Sequence, residues 1–281
     1  TIYCCHKQKF YGKDIIDFRT GEGSLHLTKD EVHMLFKESG SKHSPTIILL
    51  HGGGLSDWSL APIANKLSLK YHVITTIIDG HGEDSESTFV SIEKSALKII
   101  DYINHHENGR VYAIAGLSIG AQLVCEVLSK EPAITEYAVI ESALVYPIKG
   151  TTALTVPTYK LCYGLVKKRW FAKMQAKTLC VPDDLFEVYF QDSLKISKES
   201  LVNITLSNGN YTLKQSISDT QAKVLIIVGE KEIGVMKKSG KLLRTTLKNS
   251  NLFVAPKMKH GELSLIYHEK YVEQLELLFA K

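Results

Sequence analysis

Short apolar runs rich in Val and Ile recur along the chain, separated by longer segments with helical spacing. Runs of this length and composition are typical of strands that are covered on both faces. The seven strands predicted for the core are Glu31 to Lys37, Thr46 to Leu50, His72 to Ile78, Val111 to Ala115, Tyr137 to Glu141, Lys223 to Val228 and Leu252 to Ala255. An additional edge strand is expected around Ile15 to Phe18.

Between these strands, apolar residues recur every three or four positions, which places them on one face of a helix. The clearest case is Phe89 to Ile103. Further helices are predicted over Leu60 to Leu69, Gln122 to Leu128, Gly240 to Leu247 and Glu262 to Phe279. Alternating strands and helices predict an α/β protein with a mostly parallel central sheet and helices on both faces.

The alternation stops after Tyr146 and resumes at Lys223. The interval is too long for a loop, and its patterns predict helices over Thr158 to Lys177, Pro182 to Gln191 and Ser197 to Leu206. We therefore expect a core formed by residues 1–146 and 221–281. Residues 147–220 are expected to form a helical cap, or lid, inserted into that core.

Composition narrows the class of protein. With 44% hydrophobic and 23% charged residues in 281, the chain has an ordinary globular balance. Its net charge of +4 comes from Lys and Arg spread along the chain, which gives little reason to expect nucleic acid as a partner. No apolar run approaches the roughly 18 residues of a membrane span, so no integral membrane association is expected.

Cysteine usage and the amino-terminal residues bear on cellular location. Five cysteines are an odd number and contain no C-x-x-C pair, so neither a disulfide framework nor a zinc site is indicated. The first ten residues lack the apolar stretch of a secretory signal. These features favour a cytoplasmic protein with reduced thiols.

The strongest chemical signal is Gly116-Leu117-Ser118-Ile119-Gly120, between a predicted strand and a predicted helix. In this G-x-S-x-G nucleophile elbow, a sharp turn exposes the serine hydroxyl, and glycines avoid clashes with neighbouring backbone. The helix start adds a positive dipole where negative charge develops in the reaction. Chance would give roughly 0.1 such matches in a chain of this composition. Ser118 is therefore the predicted nucleophile.

A second glycine-rich turn, His51-Gly52-Gly53-Gly54, follows the strand Thr46 to Leu50. Glycines there expose backbone N–H groups that can bind an oxyanion. We predict an oxyanion hole formed by the N–H groups of Gly53 and Ile119, with Gly54 as the competing choice for the first donor. His51 is interpreted as a loop-anchoring residue rather than a base.

The last quarter of the chain supplies an acid and a histidine in the order expected after the serine. The strand Lys223 to Val228 leads into Gly229-Glu230-Lys231-Glu232. A carboxylate at the carboxyl end of a strand can orient and stabilise an imidazolium, and either Glu232 or Glu230 is a candidate for this role. His260 follows the next strand, just before the final helix. There it can act as general base and then general acid for Ser118.

Together these motifs resemble the α/β-hydrolase superfamily, in its serine esterase, lipase and acyl hydrolase forms with a helical cap. The resemblance covers approximately Glu31 to Lys281. It implies that the acid closes a G-x-x-D turn, which maps onto Glu232, although Asp is usual at that position. It also allows an acid one strand earlier, so Glu141 is the main alternative.

The resemblance further implies that Asp79-Gly80-His81-Gly82 is a structural turn near the site. Trp58 is a candidate for the wall of an acyl pocket, with a core or surface role as the alternative. The cluster from Lys167 to Phe171 is interpreted as the exposed and buried faces of a cap helix. A medium-length acyl chain is expected from the apolar residues of the cap: Leu161, Leu165, Trp170, Phe171, Leu185 and Phe186.

The expected activity is hydrolysis of a small or medium carboxylic ester, or else a thioester or amide, through a covalent acyl-enzyme. Ser118, His260 and Glu232 form the catalytic triad, and no metal or organic cofactor is expected. Two alternatives are a carbon–carbon bond hydrolase or lyase using the same triad, and a ligand-binding protein without catalysis on the same scaffold.

Overall fold

The computed structural model describes residues 34 to 280. It contains one seven-stranded sheet with the order β1-β3-β2-β4-β5-β6-β7. β1 is antiparallel to β3, and the remaining neighbours are parallel. The strands are β1 (Leu35–Ser39), β2 (Thr46–Leu50), β3 (His72–Ile77), β4 (Val111–Leu117), β5 (Thr135–Glu141), β6 (Lys223–Gly229) and β7 (Ser250–Ala255).

Ten α-helices occur within residues 34 to 280. They are α1 (Ala61–Leu67), α2 (Ile92–His106), α3 (Ile119–Lys130), α4 (Thr151–Val166), α5 (Arg169–Thr178), α6 (Phe186–Lys195), α7 (Lys198–Asn210), α8 (Gly234–Thr246), α9 (Glu262–Leu265) and α10 (His268–Phe279).

Both faces of the sheet are covered because successive side chains in a strand point to opposite sides. In β2, Ile48 and Leu50 belong to a core shared with α2, α3 and α8. Ile47 and Leu49 belong to a second core shared with α1 and α10. All four are almost fully buried, and each contributes about 1.5–3 kcal/mol through burial.

The predicted mostly parallel sheet with helices on both faces is confirmed. The expected strand at Ile15 to Phe18 lies outside the described residues, as does the beginning of the predicted strand Glu31 to Lys37. Between β5 and β6 the chain forms the four helices α4 to α7 and no strand. Two longer predictions were wrong in detail: Thr158 to Lys177 is interrupted at Lys167 and Lys168, and Glu262 to Phe279 is interrupted at Ile266 and Tyr267.

Candidate active site

The carboxyl ends of the central strands lie level with one another. Gly116 in β4 pairs with Leu50 in β2 and with Ile140 in β5, and Ile140 pairs with Ile226 in β6. The loops that follow these parallel strands therefore leave the sheet at one edge. Ligands of open α/β sheets bind at this edge.

Ser118 occupies the turn between β4 and α3. Its backbone has φ 56° and ψ −113°, in the positive-φ region that non-glycine residues rarely adopt. Every other residue from 113 to 129 is buried, whereas Ser118 is partly exposed. The strained turn therefore presents one hydroxyl-bearing residue out of a buried segment.

The two glycines of the elbow are required by close approach of backbone. A Cβ atom on Gly116 would lie 2.3 Å from the carbonyl oxygen of Gly120. A Cβ atom on Gly120 would lie 2.5 Å from the carbonyl oxygen of Leu50 and 2.6 Å from that of His51. Because no side chain fits there, the start of α3 packs directly against the glycine-rich turn after β2.

That packing brings the two predicted oxyanion-hole residues together. The Cβ position of Gly53 lies 3.6 Å from Cγ2 of Ile119. Ile119 is the first residue of α3, so its N–H has no carbonyl acceptor within the helix. Gly54 has φ 76° and lies against Leu179 instead.

His51 is fully buried at the end of β2. Its Nε2 accepts a hydrogen bond from the backbone N–H of Ile78 at 3.0 Å, and its Nδ1 lies 2.8 Å from the carbonyl oxygen of Gly52. Burial lowers the pKa of His51 to about 3, with a further contribution from His81. A neutral imidazole thus ties the glycine-rich turn to the end of β3.

His260 lies in the loop before α9, and its Nδ1 is 3.0 Å from Oε2 of Glu232. The imidazole is 39% exposed, whereas the Glu232 side chain is 1% exposed. When Nδ1 carries the proton, its N–H donates a hydrogen bond to the carboxylate and Nε2 is the basic nitrogen.

The other oxygen of Glu232 is anchored as well. Oε1 accepts hydrogen bonds from Oγ of Ser142 at 2.7 Å and from the backbone N–H of Gly229 at 2.9 Å. Burial by itself raises the pKa of Glu232. The hydrogen bond and charge of His260, together with the hydrogen bonds from Ser142 and Gly229, outweigh burial and hold this pKa below its usual value. Glu232 is therefore a buried carboxylate with a fixed orientation.

Ser142 is a functional candidate that the sequence analysis missed. It directly follows β5 and has φ 57°, a second strained position at the same sheet edge. Its backbone N–H donates to the carbonyl oxygen of Ile227. The only available signal was its position after a strand end, which many serines share.

The two alternative acids lie elsewhere. Glu230 accepts a hydrogen bond from the backbone N–H of Lys257 at 2.6 Å. Glu141 is buried at the end of β5, where its Oε1 accepts from the backbone N–H of Ser264 at 3.3 Å. Burial raises the pKa of Glu141 to about 7, against the opposing effect of Ser264. Of the three glutamates, Glu232 is the one whose carboxylate is hydrogen bonded to His260.

The loop that carries His260 is held by two further glycines. A Cβ atom on Gly229 would lie 2.5 Å from the carbonyl oxygen of Met258 and 2.6 Å from that of Lys259. Gly261 has φ 68°, and its Cβ position lies 3.0 Å from Cδ1 of Leu117. The residue after His260 thus packs on the residue before Ser118, which brings the two loops together.

Comparison with solved structures decides the fold family. A bromoperoxidase from Bacillus anthracis superposes with a TM-score of 0.74 at 17% identity, over 88% of this chain and 95% of its own. An esterase from Exiguobacterium antarcticum gives 0.73 at 17% identity, over 88% and 96%. An α/β-hydrolase family protein from Desulfitobacterium hafniense gives 0.69 at 20%, over 87% and 100%.

The chain has the α/β-hydrolase fold. The resemblance inferred from the sequence motifs is confirmed at this level. No protein-family model matches the sequence, and the search of curated proteins found no significantly similar sequence.

In this fold, the turn from Asp79 to Gly82 is built as a structural anchor. The buried Asp79 carboxylate accepts hydrogen bonds from Oγ of Ser95 at 2.6 Å and from Nζ of Lys98 at 2.8 Å. His81 is also buried, its Nδ1 lies 2.9 Å from the carbonyl oxygen of Asp79, and desolvation lowers its pKa. These contacts join the end of β3 to α2.

Helices α5 and α6 cover the loops of the candidate site through a third apolar cluster. Its buried members are Leu55, Leu117, Ala172, Ala176, Val181, Phe186, Tyr189 and Leu265. Trp58 packs against this cluster, and its Nε1 donates to Oδ2 of Asp192 in α6 at 2.9 Å. Trp58 therefore links the loop after β2 to the inserted helices.

The apolar cap residues that suggested a medium-length acyl chain are divided between buried and exposed positions. Phe186 is buried in the third cluster, with Leu185 packed against it. Leu161 and Trp170 are 86% and 62% exposed. These two side chains lie largely in solvent, because helical spacing identifies an apolar face but not the element that covers it.

Among residues 34 to 280, no group of three or more His, Cys, Asp or Glu side chains is arranged to hold a metal ion. No helix in the same part of the chain is long and apolar enough to cross a membrane. Cys125, Cys162 and Cys180 are free thiols.

Proposed function

We propose that the protein is a serine hydrolase of the carboxylesterase or lipase type that cleaves a carboxylic ester through an acyl-enzyme. One observation carries the proposal. His260 is hydrogen bonded to the buried carboxylate of Glu232, in a loop that packs against the strained turn holding Ser118. A nucleophile, a base and a group that orients the base are the parts that acyl transfer requires.

In the proposed acylation step, Oγ of Ser118 attacks the ester carbonyl carbon while Nε2 of His260 takes the hydroxyl proton. Collapse of the tetrahedral intermediate expels the alcohol, which receives that proton from His260. Water then attacks the acyl-enzyme with His260 again as base, which releases the carboxylic acid and restores Ser118. Glu232 stabilises the imidazolium formed in each half-reaction.

The backbone N–H groups of Gly53 and Ile119 are the proposed donors to the oxyanion. The proximity of these residues supports this role, as does the position of Ile119 at the start of α3. Such a donor contributes about 3–4 kcal/mol to transition-state stabilisation. Gly53 is preferred to Gly54 because the Cβ position of Gly53, and not that of Gly54, lies against Ile119.

A glutamate as the triad acid is compatible with this arrangement. Glutamate is one methylene longer than the usual aspartate, and the anchoring of Oε1 by Ser142 and Gly229 takes up that length. The second oxygen then faces Nδ1 of His260. These contacts favour Glu232 over Glu230 and Glu141.

Residues 147–220 are proposed to act as a cap that shapes the substrate pocket. Ile204 in α7 lies 3.5 Å from the Cβ position of Gly53, and Leu179 lies 3.7 Å from that of Gly54. The apolar cluster around Phe186 and Tyr189 gives the acyl chain an apolar wall. An ester is the preferred substrate class because an esterase is among the structural neighbours.

The test is intact mass after incubation with a fluorophosphonate, which phosphonylates an activated serine. The unmodified chain, Ser118→Ala and His260→Ala are compared, with Ser87→Ala as a matched control. One adduct on the wild type, lost in the first two variants and retained in the control, supports the proposal. Turnover of a series of p-nitrophenyl esters then defines the acyl length.

Absence of an adduct on a well-folded protein would overturn the proposal and favour a binding protein without catalysis. An adduct that persists in Ser118→Ala would exclude this serine as nucleophile. A reactive Ser118 combined with inertness to every ester, thioester and amide would favour carbon–carbon bond cleavage.

A further inference from the structure

Lys and Arg are spread along the chain, but acidic residues are not. From Ser142 to Pro182 there are seven Lys and Arg residues and no Asp or Glu. This stretch contains α4, α5 and the connection between them. Arg169 is paired with Glu187 of α6, but the other cations of the stretch have no carboxylate partner among the described ion pairs.

The outward face of α5 combines cations with large apolar side chains. Trp170, Lys173, Met174 and Lys177 follow a spacing of three or four and so share one side of the helix. All four are exposed, Trp170 by 62% and Met174 by 53%. Ala172 and Ala176, on the opposite side, are buried. The helix is thus anchored by small residues and exposes its large ones.

Helix α4 also exposes large apolar side chains. Leu154 and Leu161 are seven residues apart and therefore lie on one side of the helix, where they are 65% and 86% exposed. The inward side is fixed by Tyr163, whose hydroxyl donates to the carbonyl oxygen of Ile196, and by Tyr159, which is hydrogen bonded to Thr205. The exposure of the leucines is thus a consequence of how α4 is held.

Helix α8 provides a comparison within the same molecule. Lys237, Lys238, Lys241 and Arg244 give it a similar basic face. The exposed large apolar residue next to this face is Ile233. Basic charge alone therefore does not distinguish α5. The distinction is the alternation of cations with Trp170 and Met174.

We propose that the exposed face of α4 and α5 is a docking surface for an anionic phospholipid bilayer. Exposed Trp, Met and Leu side chains supply the apolar contact through which a helix binds a membrane interface, and lysines add attraction to anionic lipids. The apolar groups enter the boundary of the acyl chains, while the lysine stems extend so that the ammonium groups reach lipid phosphates. The absence of acids in the stretch complements the negative surface of such a bilayer.

This surface is connected to the candidate site by the end of α5. Leu179, the residue after α5, lies 3.7 Å from the Cβ position of Gly54. Docking of α5 would therefore place a bilayer beside helices that contact the loop after β2. The inference does not depend on the proposed hydrolysis, and Ser118→Ala is expected to bind bilayers as the wild type does.

The test is co-sedimentation with vesicles of phosphatidylcholine alone, or containing about 30% phosphatidylserine, at about 0.15 M salt. The full chain is expected to sediment with the anionic vesicles and to remain in the supernatant with the neutral ones. Emission from Trp170 is expected to shift to the blue on binding, measured in Trp58→Phe because the chain has two tryptophans.

Two variants separate the contributions of charge and apolar contact. Lys168→Ala/Lys173→Ala/Lys177→Ala is expected to weaken partitioning by tenfold or more, since each lysine removed weakens the attraction to the anionic surface. Trp170→Ser/Leu161→Ser is expected to weaken it by about tenfold. All five positions are exposed, and thermal unfolding of each variant checks that the fold is intact.

The matched control is Lys237→Ala/Lys238→Ala/Lys241→Ala, which removes the same charge from α8. It is expected to retain binding within about threefold of wild type. An equal loss in this control would overturn the proposal, because general charge would then explain the binding. Failure of the full chain to bind anionic vesicles would also overturn the proposal. A wild-type dimer that Trp170→Ser/Leu161→Ser converts to a monomer would do the same, because a second copy of the chain would then cover this face.

Discussion

Nδ1 of His260 lies 3.0 Å from Oε2 of Glu232, a residue 28 positions away in the chain. The other carboxylate oxygen accepts hydrogen bonds from the hydroxyl of Ser142, which follows the neighbouring strand β5, and from the backbone N–H of Gly229. Because both oxygens are occupied, the carboxylate has one orientation and imposes one on the imidazole. The candidate site therefore depends on groups following β5, β6 and β7 at once.

Replacement of Glu232 by Gln is expected to lower kcat by about 10²- to 10⁴-fold. The amide cannot stabilise the imidazolium, and it favours the tautomer that leaves Nε2 protonated. The measurement is steady-state hydrolysis of the best p-nitrophenyl ester found. Glu230→Gln is the matched control and is expected to retain activity, because Glu230 binds the backbone N–H of Lys257 instead. Equal losses in both variants would contradict the assignment.

Removal of the Ser142 hydroxyl is expected to lower kcat by about tenfold with little change in KM, since a charged hydrogen bond of this kind is worth about 1.5–3 kcal/mol. The hydroxyl helps to hold the pKa of Glu232 down, so its loss moves the acidic limb of the kcat profile to higher pH. Both Ser142→Ala and Ser142→Gly should show this shift, although glycine relieves the positive φ. A profile identical to wild type would leave Ser142 with a purely structural role.

Gly120→Ala is expected to destabilise the fold by about 3 kcal/mol or more, because the new methyl group would overlap the backbone of Leu50 and His51. Gly164→Ala is the control. Gly164 lies in α4 with no atom within 4 Å of its Cβ position, so alanine there should stabilise by about 0.5–1 kcal/mol. Urea unfolding of the two variants is expected to give free-energy changes of opposite sign.

Glu141 is expected to make the protein less stable as pH rises. Its pKa is raised from 4.5 to about 7 by burial, so the folded state binds the proton more tightly than the unfolded state does. The stabilisation is complete below about pH 4.5 and is lost as pH rises through about 7, on the order of 3 kcal/mol in all. Tyr271, Glu232 and His260 are the ionisable groups that interact with it.

The measurement is the free energy of unfolding between pH 5 and 8 for wild type and Glu141→Gln. The variant should lose the part of the pH dependence that comes from Glu141, so that its stability relative to wild type rises with pH. Asp84, whose pKa burial also raises to about 7, contributes equally to both proteins and cancels in the difference. Parallel curves would show that Glu141 ionises normally.

Several features of the site follow from short stretches of sequence. Gly116 and Gly120 flank Ser118 between a β-branched strand and a helix, so local backbone geometry is enough to predict the turn that the structure contains. The same is true of the strands β2 to β6, whose apolar runs are buried nearly throughout. Patterns of this kind are local, because they are set by neighbouring residues within one element or one turn.

Other features depend on contacts between elements that are distant in sequence. Ser142 and Glu232 are 90 residues apart, and no local pattern distinguishes that serine from others at strand ends. Leu161 and Trp170 belong to the apolar content of the predicted cap, yet both are exposed, and their helical spacing alone does not show which element covers them.

The sequence by itself determined the succession of strands and helices along the chain, the elbow at Ser118 and the glycine-rich turn that contains Gly53, since each is specified by neighbouring residues. Only the tertiary structure decided which carboxylate meets His260 and which apolar side chains remain in water. Glu141, Glu230 and Glu232 all lie at strand ends, and the choice among them requires the position of a loop from another part of the chain. Hydrogen bonds act over about 3 Å, and the sequence does not encode distances on that scale between separate elements.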